Sequence, residues 1–170
     1  MKDNYKYVSL IYDDFISNLI DYKFWAKYIY QLIKKFSSSK NYVLEIASGN
    51  CNLSRYLHKK FTTYVVSDLS LSMLKNCKIN TKLKICSDML QLPFKRKFDI
   101  IICSFDSINY ILSKRKLSLF FKEIYKTLND DGLFIFDAAL IKNSYHHQKF
   151  ALKQKKSKKH HNKKREYFYT

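Results

Sequence analysis

Tyr42-Val43-Leu44-Glu45-Ile46-Ala47-Ser48-Gly49-Asn50-Cys51-Asn52 carries the architecture of this chain. Its first five residues are apolar except for one acid, as in a short buried strand. Small residues follow, and then a helical stretch over 52–60. The same rhythm continues to the right. Strands are expected at 63–67, 83–86, 98–103 and 133–136, and helices at 70–77 and 114–128, with Leu117, Phe120, Phe121, Ile124 and Leu128 of the second on its buried side. A turn is expected at Asp131-Gly132. To the left, residues 21–36 are expected to form an amphipathic helix, with Phe24, Trp25, Tyr28, Ile29, Leu32, Ile33 and Phe36 on one face. Strands alternating with helices imply βαβ units, and unbroken apolar runs imply strands covered on both sides. The expected fold is α/β: a doubly wound, mainly parallel sheet of about five strands with helices on both faces.

The composition sets limits on function. With 170 residues, 46% hydrophobic and 16% aromatic, the chain can build one real core. No run approaches the roughly 18 apolar residues of a membrane span, and the first residues lack a secretory layout, so a cytoplasmic protein with no membrane contact is expected. Cys51, Cys77, Cys86 and Cys103 form no C-x-x-C pair and are expected to be reduced, buried thiols. No metal site is expected. The two histidine pairs, His146-His147 and His160-His161, have few other ligands near them in sequence. The net charge is +18, split evenly between residues 1–141 and the short segment 142–170. The bias toward Lys, Asn, Ile and Tyr, with two glycines and one proline, resembles drift under an A+T-rich coding sequence.

In a parallel α/β sheet, ligands sit beyond the carboxyl ends of the strands. Asp68 ends the second strand, 21 residues after Ala47. Nucleotide-binding folds place an acid at about that distance from the small-residue loop to accept hydrogen bonds from ribose hydroxyls. It could equally cap the following helix. Asp88 follows the third strand, and Ser104-Phe105-Asp106-Ser107-Ile108-Asn109-Tyr110 follows the fourth.

These strand ends together resemble those of class I S-adenosylmethionine-dependent methyltransferases over about residues 5–140. Glu45 holds the acid position of the family's first motif, usually acid-x-G-x-G-x-G, and Gly49 its central glycine. Ala47 and Cys51 replace the outer two. Cys51 is compatible only if its backbone does not need positive φ. The resemblance implies that Glu45 holds the cofactor's ammonium and Asp68 its ribose, with Leu69 and Met73 beside the adenine. It further implies that Asp88 and the backbone of Met89 meet the adenine edge, and that Ser104 and Phe105 lie along the methionine part. Asp106, Asn109 and Tyr110 are expected either to face the methyl group and acceptor, with Asp106 as the general base if one is needed, or to form a capped helix start with Asp106 as N-cap. Tyr12 is expected to close over the cofactor's carboxylate, and Trp25 to anchor its helix. The implied reaction is methyl transfer from S-adenosylmethionine, more naturally to a small molecule.

The expected organisation is a helical cap over 1–40, a cofactor-binding core over 41–141 and a basic tail over 142–170. Relatives carry a further helix and strand pair after the fifth strand, and the lysine-rich tail leaves little room for them. The chain is therefore expected to be C-terminally truncated, with possible loss of activity. The alternative is a non-catalytic cofactor fold, or a module binding RNA through residues 153–165. Oligomeric state is left open.

Overall fold

Backbone polar groups in an apolar strand must pair with neighbouring strands, and apolar side chains on both faces call for cover above and below. The computed structural model describes residues 5–16, 20–81 and 83–140. Its elements are α1 (Val8–Ile16), α2 (Tyr22–Phe36), β1 (Tyr42–Ile46), α3 (Ser54–Leu57), β2 (Thr63–Asp68), α4 (Leu71–Asn76), β3 (Lys84–Cys86), β4 (Phe98–Cys103), α5 (Lys114–Thr127) and β5 (Leu128–Phe136). The five strands form one all-parallel sheet in the order β3-β2-β1-β4-β5. After β3 the chain crosses to the other side of β1, so the order reverses between β1 and β4. That reversal opens a crevice at their carboxyl ends.

Alternate side chains divide the core in two. Val43, Val66, Ile100 and Ile102 face α2, α3 and α4, packing on Ile29, Ile33, Leu57 and Leu74. Leu44, Ile46, Val65 and Ile101 face α5, packing on Phe120 and Ile124. Each such side chain, fully buried, contributes roughly 1.5–3 kcal/mol. The basic tail and both histidine pairs lie outside the described residues.

Three expectations need correction. The buried stripe of α2 is Ala26, Ile29 and Ile33, while Phe24, Tyr28 and Phe36 are exposed. Small Ala26 lets the helix approach the sheet, and bulky rings at 24 and 28 turn outward. On α5 the buried positions are Phe120, Ile124 and Thr127, with Phe121 on the rim. Asp131-Gly132 does not separate helix from strand: β5 already starts at Leu128. Between the pairs Phe98↔Leu128 and Ile100↔Leu133 the extra residues bulge out of the ladder. Gly132 permits this, because a Cβ there would lie 2.5 Å from Leu128 Cγ.

The amino ends of β1, β4 and β5 meet at Asp99. Its carboxylate accepts from the Asn41 and Tyr42 amides and from Asn129 Nδ2. Burial alone would raise its pKa. Hydrogen bonds from Ser39, Tyr42, Asn129 and Asn41 outweigh that and hold it below the usual aspartate value.

Candidate active site

The crevice is a cavity of about 230 Å³. Its floor is the loop after β1. Ala47, Gly49 and Cys51 all take left-handed backbone conformations, with φ of 51°, 53° and 61°. These are the three positions where the resembled motif has glycine. Left-handed backbone costs a residue with a Cβ about 1–2 kcal/mol, so the loop holds Ala47 and Cys51 against their preference. The condition set for Cys51 is therefore overturned: positive φ is required, and tertiary structure imposes it. The expectation of reduced thiols is corrected as well. Cys51 forms a disulfide with Cys77, just after α4, across a Cα–Cα distance of 5.1 Å. Cys86 and Cys103 remain free thiols, Cys103 buried as expected and Cys86 exposed at the end of β3, contrary to expectation. At Gly49 a Cβ would meet nothing within 4 Å, so this backbone borders open space.

Carboxylates surround that floor. Asp68 accepts from the Gly49 amide at 2.7 Å through Oδ2 and from the Ser70 amide at 2.8 Å through Oδ1. One side chain thus ties the loop after β1 to the start of α4. Glu45 is only 3% exposed. Its Oε2 accepts from the hydroxyls of Ser54, at 2.6 Å, and Tyr64. Burial pushes its pKa up to about 7; those two hydrogen bonds oppose the rise, and the nearby Asp68 charge adds to it. Asp88 lies in the loop after β3, where its Oδ1 accepts from the Leu90 amide.

The other walls are aromatic. Tyr5, Tyr12, Tyr22, Phe105 and Tyr110 all line the cavity. Tyr5 donates to the Tyr110 hydroxyl at 2.6 Å, joining the chain start to the segment after β4. Burial, then that hydrogen bond, raises the Tyr5 pKa well above the usual tyrosine value, so its hydroxyl is no base at neutral pH. Tyr22 and Trp25 of α2 pack edge-on against Phe105. Phe105 itself is left-handed (φ 59°). Its amide and that of Asp106 donate to the two oxygens of Asp137, just beyond β5. Ser104 lines the cavity, and its buried Oγ has no hydrogen-bond partner among the described residues.

Comparison with known proteins agrees with this geometry. A family model described as a methyltransferase domain matches residues 43–132. The chain belongs to that family. Among solved structures, this methyltransferase domain is similar to an S-adenosylmethionine-dependent methyltransferase from Clostridium acetobutylicum. The TM-score is 0.69 at 34% identity, over 79% of this chain and 57% of that one. It also shares its fold with DesVI of Streptomyces venezuelae, at a TM-score of 0.73 and 21% identity over 78% of this chain and 57% of that one. An uncharacterized protein of Methanocaldococcus jannaschii is 31% identical over 60% of this chain and 48% of its own length. The chain thus spans about half the length of the curated relatives it matches.

Of the residues expected in the methyltransferase site, Tyr12, Glu45, Ala47, Gly49, Asp68, Leu69, Met73, Asp88, Met89, Ser104, Phe105 and Tyr110 line the cavity. Asp106 and Asn109 do not. Asp106 is left-handed (φ 57°), is exposed and precedes the 3-10 turn Ser107–Tyr110, where its side chain makes no cap. The tight turn at Phe105-Asp106 brings Ser107, rather than Asp106, to the cavity wall. Trp25 anchors its helix, as expected. Sequence reasoning missed Tyr5, Tyr22 and the clamp at Asp137. Asp137 carried a signal: it is an acid just past the fifth strand, as Asp68 and Asp88 are at or just past the second and third. Tyr22 carried one as well, in the stretch Asp21-Tyr22-x-x-Trp25 that resembles relatives of the family, and Tyr5 carried none.

No helix among the described residues is long and apolar enough to cross a membrane.

Proposed function

We propose that this chain binds S-adenosylmethionine and transfers its methyl group to a small-molecule acceptor. One observation carries the reading. Three adjacent parallel strands, β1, β2 and β3, each deliver a carboxylate to one cavity at or just past their carboxyl ends: Glu45, Asp68 and Asp88. That row suits an ammonium, a ribose diol and an adenine amino group in turn.

The residues present fit the cofactor. The left-handed loop at Gly49 lets backbone approach a ligand closely, and the buried Ser104 hydroxyl is available to one. Glu45 would accept from the ammonium, Asp68 from the ribose hydroxyls, and Asp88 with the Met89 backbone would meet the adenine edge. Tyr12 would close over the carboxylate. The cofactor supplies an already activated methyl group. The protein's task is then to orient the acceptor and exclude water, with no general base required. Tyr22, Phe105 and Tyr110 supply an aromatic wall for that purpose.

A small acceptor is favoured over a nucleic acid by charge. The described cavity wall contains three carboxylates and no Lys, Arg or His, in a chain with 32 Lys and Arg. A phosphate entering this site would meet repulsion and find no cation. Neutral and cationic acceptors are the ones the wall suits.

Isothermal calorimetry with S-adenosylmethionine tests the proposal. Asp68→Ala removes a ribose acceptor and frees the Gly49 loop, and affinity should fall by more than roughly tenfold. An unchanged dissociation constant would eliminate the ribose assignment, and a parent protein that ignores the cofactor would eliminate the proposal.

A further inference from the structure

Among the described residues, the cations are concentrated toward one end of the sheet axis. The segments that leave the carboxyl ends of the strands, residues 47–53, 69–70, 87–94 and 104–113, contain no Lys or Arg. The segments that lead into the amino ends, residues 37–41, 58–62, 77–81 and 95–97, contain seven, and no acid. The last turns of α2 and α5, which hand the chain to β1 and β5, add Lys34, Lys35 and Lys126 at the same end, Lys126 paired with Glu123, whereas the first turns of those helices place Lys23, Lys114, Arg115 and Lys116 at the other end. Drift toward lysine codons would load both ends alike, so this polarity does not follow from composition.

The cations at that end are also set against rings. Lys34 Nζ and Lys60 Nζ, from different elements, lie 5.5 Å and 4.7 Å from the centroid of one ring, Tyr30. The Arg96 guanidinium lies 3.8 Å over Tyr42, the first residue of β1. Phe36, beside Lys35, is 60% exposed. Three acids stand at this end: Asp99, held by Asn41, Tyr42 and Asn129, the exposed Asp131, and Asp130, which pairs with Lys97 across an exposed bridge worth little.

We infer that this end of the sheet, opposite the cavity, binds a single-stranded nucleic acid. The clustered cations match a row of backbone phosphates, and the exposed ring of Phe36 offers a base a stacking surface that tolerates any sequence. The surface sits at the far end from the carboxylate-lined cavity, so it serves as a tether and not as the methyl-acceptor site. The inference does not depend on the proposed reaction.

Fluorescence anisotropy with a labelled 20-nucleotide RNA, titrated across salt concentrations, tests it in the full chain. One variant carries Lys34→Gln, Lys59→Gln, Lys60→Gln and Lys95→Gln. The control carries Lys114→Gln, Arg115→Gln, Lys116→Gln and Lys122→Gln on α5, and thermal melts check that both fold. The first variant should lose roughly tenfold or more in affinity near physiological salt, with the log–log salt slope shallower by about 3. The control should bind within about twofold of the parent. Equal losses in both variants, or no loss in the first, would overturn the inference. So would face-dependent binding to phosphatidylserine vesicles without binding to RNA.

Discussion

Glu45→Gln should raise the stability of the empty protein and lower its affinity for the cofactor. The opposite signs come from one buried charge. With its pKa raised from 4.5 to about 7, the folded carboxyl holds a proton that the unfolded chain has released throughout that window. Stability from this group therefore falls as pH rises from 4.5 to 7 and is level above it. At about 1.4 kcal/mol per pH unit, the loss amounts to roughly 3 kcal/mol at alkaline pH. The amide is neutral and its oxygen can still accept from Ser54 and Tyr64. Glu45→Gln should thus gain roughly 2 kcal/mol at about pH 8 and almost nothing near pH 4.5. A bound ammonium favours the ionised form, so the parent protein should release a proton on binding below pH 7. Its affinity should weaken by up to about tenfold per pH unit there. Glu45→Gln should bind roughly 10- to 100-fold more weakly at about pH 8, the loss of a charge-assisted hydrogen bond, with no such pH dependence. Denaturant unfolding supplies the stabilities. Calorimetry in two buffers of different ionisation enthalpy supplies the affinity and the proton count. Parent affinity that stays flat from about pH 5.5 to 8.5 would refute the argument, as would a variant that binds as tightly as the parent.

Cys77→Ser opens a covalent loop of sequence separation 26; the melting temperature should fall, with a stability loss of about 3 kcal/mol measured under non-reducing conditions, and added dithiothreitol should affect the parent but not the variant. Ala47→Gly relieves a left-handed alanine (φ 51°); against the greater chain entropy of glycine, a net gain of about 0.5 kcal/mol is expected in chemical denaturation, and a loss would mean that the Ala47 methyl packs against something essential. Gly132→Ala places a Cβ against Leu128 and the Asn129 carbonyl; crowding there should cost about 1–3 kcal/mol with no change in cofactor affinity at the distant cavity.

The sequence by itself determined the class of fold and the line of acids. Apolar runs at 43–46, 63–66 and 98–103 can be satisfied only inside a two-sided sheet, and a strand that ends in Glu45 or Asp68 carries its charge to the sheet's rim wherever it pairs. Local chemistry carries that much. Tertiary structure alone decided the rest. An apolar run states that it will be buried and not beside which strand, so the order β3-β2-β1-β4-β5 and the crevice between β1 and β4 were not legible. Tyr5 reaches Tyr110 across 105 positions, and Cys51 finds Cys77 only because the first loop and α4 close over the same core face. The left-handed turn at Phe105-Asp106, held by Asp137, turned Asp106 away from the cavity. Each of these rests on contacts between segments far apart in the chain. Residue type constrains neighbours a few positions away, whereas such contacts form only when the whole core closes.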